Sequence, residues 1–309
     1  MAMHVIVGKG PVGTTTADEL VARGHTVRVL SRSGGRSTDA VEHRQVDATD
    51  PRALTEAARG AAALYNAVNP PYHRWPTDWP PIAAALLTAA ERTGAVLVTM
   101  SNLYGYGRPS GPMTPETPLA ATDAKGVVRA RMWADALAAH QAGRVRVTEA
   151  RAADFVGPQA PGDHSHLTRQ LAALRKGRRA WVVGDPDAPR SWAYLPDVAA
   201  TLATLGTDER ALGRAWHVPS APPRSQRQAI TDLAAAMAVA PVAVTGIPWP
   251  VLRAVGLVVP MMREVLDVRH QFDQEFVIDA TATTATFGLT ATPWDDVVRA
   301  TVAAAPVTA

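Results

Sequence analysis

The 309-residue chain contains no cysteine. That absence excludes disulfides, a thiolate nucleophile and cysteine-ligated zinc, and it fits a reducing compartment. Lysine is almost missing as well: only Lys9, Lys125 and Lys176 occur, so arginine carries nearly all the positive charge. The net charge is +3, and the basic residues are scattered and never interleaved with aromatics, which argues against nucleic-acid binding. Long apolar runs are lacking too. The stretch from Ile230 to Met262 is broken by Pro241, Pro248, Pro250, Arg253 and Pro260, too often to cross a bilayer. Residues 1–8 begin a strand at once, leaving no room for a signal peptide, so a cytoplasmic protein without a membrane partner is expected. The histidines show no H-x-x-x-H or H-E-x-x-H spacing, and His164 and His166 have no third ligand nearby, so no metal is expected. A G-x-S-x-G elbow for a serine hydrolase is also absent.

What is present suits a globular enzyme: 47% apolar and 19% charged residues. An apolar strand runs directly into Gly8-x-Gly10-x-x-Gly13, followed by a helical stretch, Thr14 to Arg23, and a second strand, Thr26 to Arg32. Each glycine has a role in holding a dinucleotide. Gly8 allows the tight turn, Gly10 lets the backbone approach the pyrophosphate, and Gly13 lets helix and strand pack. Pro11 and Val12 complete the loop, whose N–H groups face the phosphates at the helix start. Where an NAD-preferring protein places a carboxylate for the ribose, this chain has Ser31, Arg32 and Ser33, so NADPH is the expected cofactor. Asp47, beside Ala48, is placed either to accept from the adenine amino group or, with Asp50, to cap the next helix. Ala67, Val68 and Asn69 close the fourth strand, where the ribose–nicotinamide half passes.

Further strands are expected at His43 to Ala48, Ala61 to Val68, Val96 to Ser101 and Arg144 to Ala152, and helices at Pro51 to Arg59, Ile82 to Thr93 and Asp123 to His140. The loop from Asn69 to Pro81 carries Tyr72, Trp75 and Trp79 and holds too much proline for regular structure. This alternation predicts an α/β fold: a Rossmann-type, doubly wound parallel sheet with a smaller C-terminal substrate-binding lobe. The expected division is residues 1–158 plus about 190–206 for the dinucleotide domain, and about 159–189 and 207–309 for the lobe. Short strands at Ala180 to Val183 and Ala215 to Val218 are assigned to that lobe.

With these landmarks the chain resembles the extended short-chain dehydrogenase/reductase family, the NAD(P)-dependent epimerase/dehydratase-like group. The resemblance rests on the glycine motif, on Ser101 to Gly107 (SNLYGYG), on Val156-Gly157-Pro158, on Arg190 to Ala199 and on the ending from Asp279 to Pro293. The family's chemistry implies a tyrosine whose proton transfer is tuned by a lysine four residues later. That pair is missing here. Four residues past Tyr65, Tyr72, Tyr104, Tyr106 and Tyr194 stand Asn69, Pro76, Arg108, Ser110 and Val198. Aligned on Tyr106-Gly107, the resemblance puts Asn102 at the family's catalytic serine or threonine, Lys125 at its tyrosine and Arg129 at its lysine. Asn102 can donate to a carbonyl but supplies no acid, and Arg129 stays charged, able only to hold nicotinamide ribose or an oxyanion.

The expectation is an atypical NADPH-dependent ketoreductase acting on a bulky, aromatic natural product, as in antibiotic biosynthesis, working as monomer or homodimer. Its catalytic candidates are Asn102, Tyr104, Tyr106 and Lys125, with a substrate phenol or water as a further proton source. Cofactor contacts are expected from the residues named above together with Ser101, Arg129, Ala153, Asp154 and Phe155, and substrate contacts from Tyr72, Trp75 and Trp192. The alternatives are a nucleotide-sugar-type epimerase or dehydratase that retains its nucleotide, and a non-catalytic NAD(P) sensor.

Overall fold

The computed structural model describes residues 1–162, 164–258 and 260–304; the last five of the expected lobe lie outside the described residues. The first half alternates as β1 (Met3–Val7), α1 (Pro11–Ala22), β2 (Thr26–Ser31), β3 (Val41–Gln45), α2 (Pro51–Ala57), β4 (Ala63–Asn66), α3 (Trp75–Thr93), β5 (Val96–Ser101), α4 (Ala124–Gln141) and β6 (Val147–Arg151). The second half continues with β7 (Asp154–Val156), α5 (Leu171–Arg175), β8 (Ala180–Val183), β9 (Trp192–Tyr194), α6 (Leu195–Leu205) and β10 (Ala215–His217). It closes with α7 (Gln226–Ala236), β11 (Val244–Ile247), α8 (Trp249–Gly256), α9 (Pro260–Asp267), α10 (His270–Asp273), α11 (Thr281–Phe287) and α12 (Trp294–Ala303).

The main sheet has seven parallel strands in the order β10-β6-β5-β4-β1-β2-β3. This is the Rossmann-type α/β fold that the alternation implies. Helices cover both faces, so Val5, Ile6 and Val7 are all buried and the strand reads as a continuous apolar run. One core joins Ile6, Val29 and Val98 to Leu20 of α1 and Leu202 of α6; the other joins Val5, Val7 and Leu97 to α2, α3 and α4. Strand order reverses between β1 and β4, the crevice where such sheets bind ligands. A third core joins Leu174, Val182 and Trp192 to Leu233 of α7 and Trp294 of α12.

Two expectations change. The strand at Ala215–His217 pairs with β6 as the edge of the main sheet, not with the lobe. Its brevity hid it, because register to a strand more than 60 residues away is not written in local periodicity. The proline-rich segment is also more regular than expected. A 3₁₀ turn, Tyr72–Arg74, leads straight into α3, with Pro80 and Pro81 inside the helix. Each interior proline costs about 3 kcal/mol. Trp75, Trp79 and Ile82 share one buried helix face, and burying an indole of 150–250 Å² is worth roughly 4–6 kcal/mol at 25 cal/mol/Å². Burial wins.

Fully buried His4 of β1 bonds Tyr65 through Nδ1 at 3.0 Å while its Nε2 has no partner. Burial first, then His25, lowers its pKa from 6.5 to about 4; burial does the same to His217. A histidine with a lowered folded pKa leaves the unfolded chain binding more protons, so its contribution is full above 6.5 and is lost as pH falls toward 4. Unfolding free energy should drop by about 1.4 kcal/mol per pH unit for each such histidine in that window. Denaturant titrations of His4→Asn should show one histidine's share of the slope removed; an unchanged slope would mean that His4 is charged in the fold.

Candidate active site

The glycine loop is shaped by contact on two sides and openness on the third. Gly8 has φ +114°, and a Cβ there would lie 2.5 Å from the Ala67 carbonyl oxygen. A Cβ on Gly13 would lie 2.0 Å from the Gly8 oxygen, whereas one on Gly10 would meet nothing within 4 Å. The open space above Gly10 and the start of α1, which no side chain caps, form a cradle that fits a pyrophosphate. Pro11 and Val12 are half-buried beneath it.

Beyond the loop, Arg32 and Ser33 are exposed at the end of β2, and Ser31 Oγ and Lys9 Nζ both donate to the Gly34 oxygen, at 3.1 and 2.8 Å. Asp50 caps α2 through the Arg52 and Ala53 amides. Asp47 instead accepts from the Thr49 amide and hydroxyl, which with nearby Arg32 hold its carboxyl below the usual range. The capping alternative for Asp47 therefore falls to Asp50. Ala48 and Val68 pack against the α2–α4 core, and Asn69 follows β4 at the crevice.

The positions matching the missing pair lie one turn apart on α4 and face inward. Arg129 is clamped between Trp75 and Trp79, 4.6 and 4.4 Å from their ring centres, and donates to the Met100 oxygen at 3.4 Å. Burial draws its pKa down to about 10, so it remains charged at neutral pH. Lys125 is equally buried; it donates to the Glu264 backbone oxygen and pairs with that carboxylate at 3.3 Å. The amine also lies 5.7 Å from the Tyr72 ring and 6.0 Å from that of Tyr104. Burial lowers its pKa, and Glu264 pulls it back up. Two cations thus sit in a box of aromatic rings, with Tyr72 stacked on Trp75 at 5.0 Å. Sequence reading missed Glu264, which comes from α9, 139 residues on, and Trp79 as the second wall of the clamp.

The family model for NAD-dependent epimerases/dehydratases matches residues 5–218. The chain belongs to that family. No curated protein sequence matches it. Among solved structures it is similar to the dTDP-glucose 4,6-dehydratase of Bacillus anthracis in complex with NAD, at 14% identity and TM-score 0.80, covering 98% of this chain and 96% of that one. It is similar also to the UDP-glucose 4-epimerase of Thermotoga maritima with UDP-glucose, at 13% identity and TM-score 0.80, covering 98% of both. The Bordetella bronchiseptica enzyme WbmH in complex with NAD+ gives 19% identity and TM-score 0.74, again over 98% of both.

In this family member the remaining candidates divide between crevice and core. Asn102 is half-buried, and its side-chain oxygen accepts from the Tyr104 amide at 3.2 Å, which leaves its N–H₂ to donate. Tyr104 stands beside Tyr72 and Asp154, and burial first, then both neighbours, raises its pKa well above the usual value. Tyr106 does not join them. Its hydroxyl accepts from Arg151 at 2.7 Å and lies 2.6 Å from His217 Nε2, while His217 Nδ1 donates to the Asp279 oxygen at 2.9 Å. The carbonyl fixes the tautomer, so the Tyr106 hydroxyl donates its hydrogen bond to His217 Nε2 in a buried structural relay; burial pushes the phenol up to about 12. Trp75 is buried too, its N–H donating to the Pro70 oxygen, so it walls the clamp instead of forming an open lid. Trp192 lies in the third core and donates to the Arg224 oxygen. Both were expected at the substrate. Reading Pro76, Pro80 and Pro81 as helix breakers hides the i, i+4, i+7 spacing that puts Trp75 on the buried face of α3 with Trp79 and Ile82.

Ser101 and Ala153 are buried at the ends of β5 and β6, and Phe155 is half-buried in β7. Asp154 forms an ion pair with Arg190, whose guanidinium lies 5.2 Å from the Trp192 ring and 4.9 Å from Phe272. Among the described residues no cluster of three or more metal-ligating side chains occurs, and no helix is long and apolar enough to cross a membrane.

Proposed function

We propose that the protein is an NADPH-dependent reductase of a ketone or quinone in a bulky, largely apolar, aromatic compound. One observation supports the reading: Arg32 is exposed directly after β2, between Ser31 and Ser33, Lys9 is bonded to the nearby Gly34 oxygen, and the carboxylate that Arg32 acts on is Asp47 beyond β3 and not one at the end of β2. A 2′-phosphate needs positive charge there, and the phosphorylated dinucleotide is the form that cells use as an exchangeable reductant. Gly8 to Gly13 would hold the pyrophosphate, Arg32 the 2′-phosphate, and the ends of β4 to β6 the nicotinamide half. The bound group would supply a hydride.

The chain's own residues then polarise and orient the carbonyl. Asn102 N–H₂ donates to the carbonyl oxygen, and the fixed charges of Lys125 and Arg129 favour the negative charge that grows there. The aromatic rings keep water from the reacting carbon. Lys125 supports that field without giving up its proton, because Glu264 anchors it.

The second reading, an epimerase or dehydratase of nucleotide sugars, is supported by family membership. Against it, the crevice arginine Arg190 is already neutralised by Asp154, which weakens the attraction for a substrate diphosphate.

NADPH oxidation measured against a panel of ketones and quinones tests the proposal. Turnover with exchangeable NADPH supports it; tightly retained NAD favours the second reading, and binding without turnover a sensor. Arg32→Ala should weaken NADPH at least tenfold, about 1.4 kcal/mol, and leave NADH nearly unchanged. Equal losses for both would take the 2′-phosphate away from Arg32.

A further inference from the structure

Three polar side chains interrupt the apolar surface at the middle of the main sheet. Asn66 of β4, Thr99 of β5 and Glu149 of β6 are direct register neighbours on adjacent strands. Neighbouring strands lie about 4.8 Å apart, so the row runs about 10 Å across the sheet. Asn66 and Glu149 are each 2% exposed and Thr99 is half-buried, yet their bonding capacity is only partly used. The Asn66 oxygen accepts from the Val68 amide, and one oxygen of Glu149 accepts from Arg151 at 2.7 Å. Among the described residues, the Asn66 N–H₂, the Thr99 hydroxyl and the second Glu149 oxygen bond to nothing in the protein. Buried polar groups are ordinarily bonded. All three residues border one cavity of about 340 Å³, within the ~300–1,000 Å³ range of small-molecule sites. Its walls are apolar, from Leu86 and Leu87 of α3 and Val128, Met132 and Trp133 of α4. Exposed Ala84 and Val127 stand at its rim, and none of Gly8 to Gly13, Arg32 or Asn102 borders it.

We propose that this cavity is a second small-molecule site, for a neutral ring compound carrying a hydroxyl group; the inference does not depend on the reductase reading above. The ligand hydroxyl donates to the open Glu149 oxygen and accepts from the Thr99 hydroxyl one strand away. The Asn66 N–H₂ offers a further donor at the far end of the row. The rings fill the apolar space between the helices, which exists because Ala83 and Ala84 of α3 and Ala136 of α4 present only methyl groups there. Charge selects a neutral occupant. Arg151 already balances Glu149, so an ammonium gains little, and an acid would meet both the Glu149 carboxylate and the exposed Asp135 at the rim. Size selects a small one, because the row forms the floor beneath α3 and α4 and another protein surface would cover the rim without reaching it.

Equilibrium dialysis of the full chain with 2-naphthol and with 2-methoxynaphthalene tests the site, since the two probes share their rings and differ in the donor. 2-Naphthol should occupy one saturable site with a Kd below about 100 µM, at least tenfold tighter than the ether, which cannot donate to the carboxylate. Ala83→Phe and Ala136→Phe fill the cavity from opposite walls, and each should weaken 2-naphthol at least tenfold with circular dichroism unchanged. Thr99→Val keeps the shape of the floor and removes one hydroxyl; it should weaken 2-naphthol about fivefold and leave the ether unaffected. Absence of saturable 2-naphthol binding by the wild-type chain overturns the proposal, whether the floor holds only water or a second copy covers the rim. Equal affinity for the two probes overturns it as well. So does binding that persists undiminished in Thr99→Val and in the folded Phe variants, which would put the probe elsewhere, the dinucleotide crevice included.

Discussion

Arg151→Met is expected to cost about 3–5 kcal/mol of stability, the largest loss of any single change considered, because it strands a buried carboxylate. Glu149 and Arg151 sit two residues apart on β6, each 2% exposed, joined at 2.7 Å. The same guanidinium donates to Tyr106, and through His217 the relay reaches Asp279. It therefore ties together the loop after β5, the edge strand β10 and the C-terminal segment. Urea unfolding of Arg151→Met and of the double variant Glu149→Leu/Arg151→Met separates pairing from packing. Removing both charges should recover more than half of the loss, since the penalty lies in the orphaned charge and not in the missing attraction. A single variant within 1 kcal/mol of wild type would show that Glu149 finds water or another cation.

Replacing Gly10 by alanine is expected to weaken dinucleotide binding about 100-fold, about 2.8 kcal/mol, while leaving the melting temperature unchanged. The methyl meets nothing in the protein, so its only possible clash is with the ligand. Gly13→Ala should behave differently. Its methyl would fall 2.0 Å from the Gly8 oxygen, so the loop must shift, at about 1–3 kcal/mol of stability. Fluorescence titration with NADPH and thermal melts distinguish the two. If Gly10→Ala binds like wild type, the pyrophosphate does not lie over this loop.

The Rossmann opening was legible from residues 3 to 32 because each local signal there agrees. An apolar strand, three glycines at fixed spacing, a proline at the helix start and a second strand leave one arrangement open. The first strand is the plainest, since burial on both faces makes Val5, Ile6 and Val7 all apolar. The absence of a Tyr-x-x-x-Lys pair also needed no coordinates: covalent spacing alone forbids it.

What stands in place of that pair was decided by tertiary structure. Nothing near Arg129 in sequence says that Trp75 and Trp79 will hold it, because α3 and α4 meet only when packed on the sheet. Glu264 reaches Lys125 across 139 residues, and Tyr104 and Tyr106, two residues apart, join different clusters because the backbone turns between them. Asp154 and Arg190, 36 residues apart, pair only once β7 and β9 lie side by side. Sequence determines which groups are available and which local periods they obey. Proximity between distant charges, and the burial that sets their protonation, are properties of the assembled chain, since desolvation depends on every element packed around a group and not on its neighbours in sequence.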